Sequence, residues 1–148
     1  MPKHSDATGK MVIDPWAGDF GDGVAAYNKK NYAVAIVKFR SAAAQGNAKA
    51  QFYLGDIYRD GEGVVPDDAE AVKWYKLSAA QGHASAQLDL GNMYTKGHGV
   101  VEDFAEAMKW YKLAAEQGHA GALSNLALMY EYGQGVDQDY VRSHRWMH

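Results

Sequence analysis

One segment of this chain is written twice. Residues 73–86, KWYKLSAAQGHASA, return 36 residues later as KWYKLAAEQGHAGA at 109–122. The same shift superposes Trp74, Trp110 and Trp146, and likewise Gly46, Gly82 and Gly118. It also superposes Gly61, Gly97 and Gly133, which open the turns GEGV, GHGV and GQGV. Between residues 67–102 and 103–138, 21 of 36 positions are identical. An active site is usually singular, so repetition on this scale points to architecture: each unit buries its apolar face only against its neighbours.

Within a unit, small and apolar residues recur at helical spacing. Ala71, Trp74, Tyr75 and Ser78 form one stripe; Ala84, Leu88, Leu90, Gly91 and Tyr94 form the next. Each unit therefore reads as two helices. Asp67 with Glu70, and Asp103 with Glu106, have the spacing of a capping box, and Gly82 and Gly118 fall where a helix ends in a left-handed residue. These signals predict helices over 16–29, 31–45, 48–60, 67–81, 84–96, 103–117, 120–132 and 139–148. Gly55 and Gly91, with Ala86 and Ala122 nearby, are expected to let neighbouring helix backbones approach closely. Residues 1–15 show no periodicity and read as a flexible tail outside the fold.

Composition narrows the function. A net charge of −3 without any dense Lys/Arg run supplies no footprint for a phosphate backbone, so nucleic acid is not an expected partner. The absence of cysteine excludes disulfides, thiolate metal sites and thiol nucleophiles. No apolar run reaches membrane-spanning length, and the opening residues lack the apolar core of a signal peptide. A soluble chain is expected, cytoplasmic as written, and periplasmic or secreted if a signal peptide has been removed.

The pattern A-x-x-x-L-G-x-x-Y-x-x-G-x-G-V, followed by D-x-x-x-A-x-x-W-Y-x-x-A-A-x-x-G, resembles the Sel-one-like repeat, a relative of the tetratricopeptide repeat. The resemblance covers residues 47–148, with the last unit incomplete. Residues 16–46 lack the G-x-G-V turn, carry Lys38 where later units have tryptophan, and resemble a tetratricopeptide unit acting as an atypical first cap. The resemblance implies an all-α, right-handed superhelix of about eight helices in antiparallel pairs. It further implies a concave groove lined by the first helix of each pair and a role as a protein-binding adaptor, as in bacterial signalling, host interaction and eukaryotic protein quality control.

Rival chemistries fare poorly. The G-x-G-V turns follow helices in three copies, whereas a dinucleotide loop follows a strand and carries a third glycine. His83 and His119 recur with the period and belong to the turn. His144 and His148 have the i, i+4 spacing of a zinc pair but no third ligand nearby, so no metal or other cofactor is expected. Some relatives are linked to penicillin-type compounds, yet S-x-x-K is absent and no serine has an evident base, so the chain reads as no enzyme. The repeated Lys-Trp-Tyr-Lys could be taken for a nucleic-acid platform, but Trp74 shares the face of Ala71 and Ser78 and belongs to the core.

Carried across from the fold pattern, the inner face of the groove holds Phe20, Val24 and Tyr27, then Lys49, Phe52, Asp56 and Arg59. It continues with Ser85, Leu88, Asn92 and Thr95, and ends with Ser124, Leu128 and Glu131. Phe52, Leu88 and Leu128 are the expected apolar anchors for a protein or peptide partner, with Asp56, Arg59, Asn92 and Glu131 setting its register. The chain stops inside the second helix of a fourth pair, which predicts either a truncated parent or self-association, as a homodimer, through residues 123–148. The alternative reading is an exported repeat protein that engages a host protein or a cell-wall or penicillin-like compound.

Overall fold

The structure, a computed structural model, describes residues 3–5, 11–13 and 15–134, with side chains from 18 to 134. Seven helices follow one another: α1 Pro15–Asn28, α2 Tyr32–Ala44, α3 Ala48–Asp60, α4 Asp68–Ala80, α5 Ala84–Lys96, α6 Phe104–Glu116 and α7 Ala120–Tyr132. They pack as consecutive hairpins, α1 with α2, α3 with α4 and α5 with α6, each hairpin leaning on the next, while α7 opens a fourth. The eighth helix expected at 139–148, the His144 and His148 pair, and most of the proposed self-association segment lie outside the described residues. At the front, Lys3–Ser5 and Met11–Ile13 form β1 and β2, an antiparallel pair with Lys3 opposite Ile13. The sequence reading expected no such pairing there.

Helix ends follow from local chemistry. Asp67 and Asp103 sit in extended backbone, and their carboxylates accept from the amides of Glu70 and Glu106, each at 3.0 Å. The reciprocal half of the capping box is diverted. Glu70 Oε1 accepts from Trp74 Nε1–H at 3.2 Å, and Glu106 repeats this with Trp110, so one carboxylate secures the indole of its own helix. Trp74 is buried and Lys73 lies over its ring at 5.3 Å, which leaves no open aromatic platform there.

The long connections need the G-x-G motif for a steric reason. Gly61 and Gly97 end α3 and α5 in the left-handed region, at φ 72° and 66°. At Gly99 (φ 76°) a Cβ would run into the α4 backbone at Asp68 and Ala69, so the turn seats itself directly on the preceding hairpin. The first hairpin replaces this device with Lys29, Lys30 and Asn31, where Lys30 takes φ 62° and Asn31 caps α2. One core runs from Ala26 through Phe39, Leu54 and Tyr75 to Leu90; a second joins Tyr111, Leu126 and Tyr130; Tyr94 packs against both.

His83 is the N-cap of α5: its Nδ1 accepts from the amide of Ala86 at 3.2 Å, and its ring stacks on Phe52 with centroids 4.7 Å apart. Asn47 performs the same capping for α3 one period earlier, accepting from Ala50 at 3.0 Å. Burial, and secondarily Lys49, push the His83 pKa down, as a ring that must stay neutral to accept requires. The folded-state pKa is the lower one, so this stability is present above the ordinary histidine value of about 6.5 and is lost as pH falls through the folded value. His83→Asn is expected to keep the cap and remove that acid loss, about 1 kcal/mol of pH dependence. Urea melts of both proteins at neutral and at mildly acidic pH check it. Parallel pH profiles would refute a titrating cap.

Candidate protein-interaction surface

The first helices of successive hairpins lie side by side. Phe20 of α1 meets Tyr53 of α3 at 6.0 Å between centroids, Arg59 of α3 reaches Asp89 of α5 at 3.6 Å, and Asn125 of α7 donates to Asn92 of α5 at 3.2 Å. Helices α1, α3, α5 and α7 therefore form one layer. The period arranges its outward positions in rows across that layer, and each row has its own chemistry.

The row Phe20, Phe52, Leu88, Ser124 is mostly spent on packing. Phe20 contacts Phe39, Phe52 contacts Tyr53, Tyr75 and His83, and Leu88 packs on the α6 and α7 core; Ser124 is exposed. In the next row, Val24, Asp56, Asn92, Leu128, the polar members are already engaged. Tyr75 Oη donates to Asp56 Oδ1 at 2.6 Å, and Tyr111 Oη donates to Asn92 Oδ1 at 2.5 Å. Leu128 stands 46% exposed. The third row holds Tyr27, which donates to Glu62 at 2.7 Å, Arg59, Thr95, which donates to the Asn92 carbonyl at 3.0 Å, and half-buried Glu131. Lys49 is exposed and Ser85 partly so.

A fourth row, Tyr53, Asp89, Asn125, was missed by the sequence reading, although its shift by 36 was visible. Asp89 completes a charged cluster. Arg59 lies 3.0 Å from Asp60, 3.5 Å from Asp56 and 3.6 Å from Asp89, so one guanidinium serves three carboxylates. Burial and then the Asp56 charge push the Asp89 carboxyl up to about 6, against the downward pull of Arg59. Asp56 is raised as well, chiefly by burial, although the Tyr75 hydroxyl and Arg59 oppose it. Burial works against the Arg59 charge, but Asp60, Asp56 and Asp89 outweigh it and hold the guanidinium protonated.

Beside this cluster, a cleft of about 430 Å³ opens between α5 and α7, lined by Asn92, Thr95, Lys96, Tyr111, Asn125, Leu128, Met129 and Gln134. It gathers three of the expected inner-face residues, Asn92, Thr95 and Leu128. A second cleft, about 470 Å³, lies against α4 between Val72, Lys76, Leu77 and Val100. Among the described residues there is no group of three or more His, Asp or Glu side chains placed to hold a metal ion, and no helix long and apolar enough to cross a membrane.

Side-by-side first helices, hairpin stacking and a 36-residue period define the class: a right-handed α-solenoid of helical hairpins. The chain belongs to the Sel1 repeat family, whose model matches residues 48–83, 84–119 and 120–148. It is similar to the structure of a protective antigen present in uropathogenic Escherichia coli strains that displays an SLR fold, at 37% identity and a TM-score of 0.86. It is similar also to that of a Sel1 repeat protein from Oxalobacter formigenes, at 38% identity and a TM-score of 0.84. Each match covers 88% of this chain, but this chain spans only 29% of the first protein and 56% of the second. No curated protein sequence matches the chain. Proteins of this family are typically non-catalytic scaffolds for protein–protein interaction.

Proposed function

We propose that this chain is a non-enzymatic scaffold that binds an extended segment of another protein along the layer formed by α1, α3, α5 and α7. The observation that carries the reading is the cleft between α5 and α7, walled by period-related positions and bordered by exposed Leu128. Its walls are held in place: Asn92 is fixed by Tyr111 and Asn125, and Thr95 by the Asn92 carbonyl. A preformed wall spares a partner much of the ordering cost that ordinarily subtracts from affinity.

The structure dictates which variants test this. Leu88 packs into the core and Asn92 holds a tyrosine, so changing either would disturb the fold. Ser124→Arg with Leu128→Glu changes only exposed side chains, and Leu77→Glu does the same at the second cleft. Capture of a binding protein from the source organism's lysate should be lost with the first variant and kept with the second, both remaining helical by circular dichroism. Loss with Leu77→Glu alone, or equal capture by all three, would overturn the assignment to this face.

A further inference from the structure

The cleft between α5 and α7 is apolar on one side only. Leu128 and Met129 supply that side; the wall continues along α5 through Asn92 to Asp89, one helical turn earlier, whose field reaches the cleft-lining Tyr111. Asp89 is mostly buried, and its contact with Arg59 is a 3.6 Å ion pair without the short geometry of a charge-assisted hydrogen bond. The fork of Arg59 is turned elsewhere, with Nε at 3.0 Å and Nη2 at 3.4 Å from the two oxygens of Asp60. Asp56 has its tyrosine hydroxyl; among the described residues Asp89 has only the distant edge of a shared cation.

Among the described residues, the other basic groups on this face do not substitute. Lys96 also lines the cleft, but it lies seven residues beyond Asp89 on the same helix, roughly 10 Å along its axis, and does not neutralise that carboxylate. Lys49 is exposed on α3, ten residues before Arg59. The potential beside the cleft therefore favours an incoming cation, while the cleft itself accepts an apolar side chain.

We propose that the segment bound on this face carries a lysine or arginine that pairs with Asp89, next to an apolar residue that enters the cleft against Leu128. This rests on the scaffold reading above and adds the chemistry of the partner. The cation would exchange water for a carboxylate that is already partly desolvated, and the apolar residue would cover Leu128; electrostatics would give orientation and the cleft anchorage.

The probe is an array of nine-residue peptides in which a central Arg, Lys, Gln or Glu is combined with Leu or Ser at the neighbouring positions, bound to the purified chain. Peptides with a basic residue beside leucine should bind best, and raising the salt should weaken them. Asp89→Asn should cost at least tenfold for basic peptides while barely changing their Gln counterparts; Leu128→Ser should erase the leucine preference and keep the basic one. Asp89→Asn removes a charge that burial disfavours, so it should fold, with circular dichroism as the check. If acidic or neutral peptides are selected and Leu128→Ser still weakens them, the cationic assignment fails and the scaffold reading stands. If no peptide depends on either residue, both fail.

Discussion

Gly91→Ala is expected to destabilise the chain by about 2–4 kcal/mol, with Tyr111→Met in the same background restoring much of the loss. A Cβ at Gly91 would stand 2.5 Å from Tyr111 Cε1 and 2.8 Å from Cδ1, closer than real side chains approach. The ring has little room to yield, because it is buried and its hydroxyl is held by Asn92. Alanine's better helix propensity returns at most about 1 kcal/mol, so overpacking decides the sign. The remedy is written in the chain itself: one period later the position of Gly91 is Ala127, and the position of Tyr111 is Met147. Tyr111→Met alone should also destabilise, by leaving a void and removing one of the two donors to the partly buried Asn92 Oδ1, which keeps Asn125. A double-mutant cycle from urea melts therefore checks the coupling. Additive losses would show that ring and glycine do not communicate.

The same comparison separates two couplings. The units carry Gly23, Val24 and Phe39; Gly55, Asp56 and Tyr75; Gly91, Asn92 and Tyr111; then Ala127, Leu128 and Met147. Wherever a ring is present, glycine faces it, and at Gly23 a Cβ would come within 2.7 Å of Phe39. Only where that ring bears a hydroxyl is the following residue Asp or Asn. The row Val24, Asp56, Asn92, Leu128 is consequently polar in the middle and apolar at both ends, for reasons that begin inside the hairpins. Gly55 and Gly91 were expected to admit a neighbouring backbone; what they admit is a tyrosine ring.

That distinction marks how far the sequence could be read. The bounds expected from periodicity at 48–60, 84–96 and 120–132 coincide with α3, α5 and α7, and the structure supplies the local reason: asparagine or histidine precedes each helix and a left-handed glycine closes it. Contacts between units were harder. Asp56, Arg59 and Asn92 looked like free polar groups for a partner, since spacing along one helix says nothing about a hydroxyl arriving from nineteen residues away. Asp89 was overlooked because it sits between two apolar stripes of its own helix and acquires meaning only when Arg59 crosses from α3. The diverted capping box is similar: the sequence shows an acid at the right place but not the indole that competes for it.

Gln87 offers the second large effect, and it tests how neighbouring units are tied together. Its side chain is 3% exposed, its Nε2 donates to the Ala79 carbonyl at 3.1 Å, and its Oε1 accepts from Gln117 Nε2 at 3.1 Å. Gln117 also donates to the Gly82 carbonyl at 2.8 Å. Gln51 repeats the arrangement with Ala43 and Gln81, at 3.2 and 2.8 Å. Each buried amide thus binds the end of one hairpin, begins the next, and receives a donor from that hairpin's second helix. Gln87→Ala should cost about 2–3 kcal/mol, since it opens a void and removes two hydrogen bonds from the junction, leaving the Ala79 carbonyl with the Gly82 amide at 3.0 Å. Gln87→Leu, copying Leu123 one period on, keeps the volume and should cost less, about 1–2 kcal/mol, from the hydrogen bonds lost to the Ala79 carbonyl and to Gln117, which keeps its bond to the Gly82 carbonyl. Denaturant melts give the ranking. If the leucine variant proves as costly as the alanine variant, the amide bonds hold the hairpins together and packing contributes little; if both match the unchanged chain, the units are joined by their apolar faces alone.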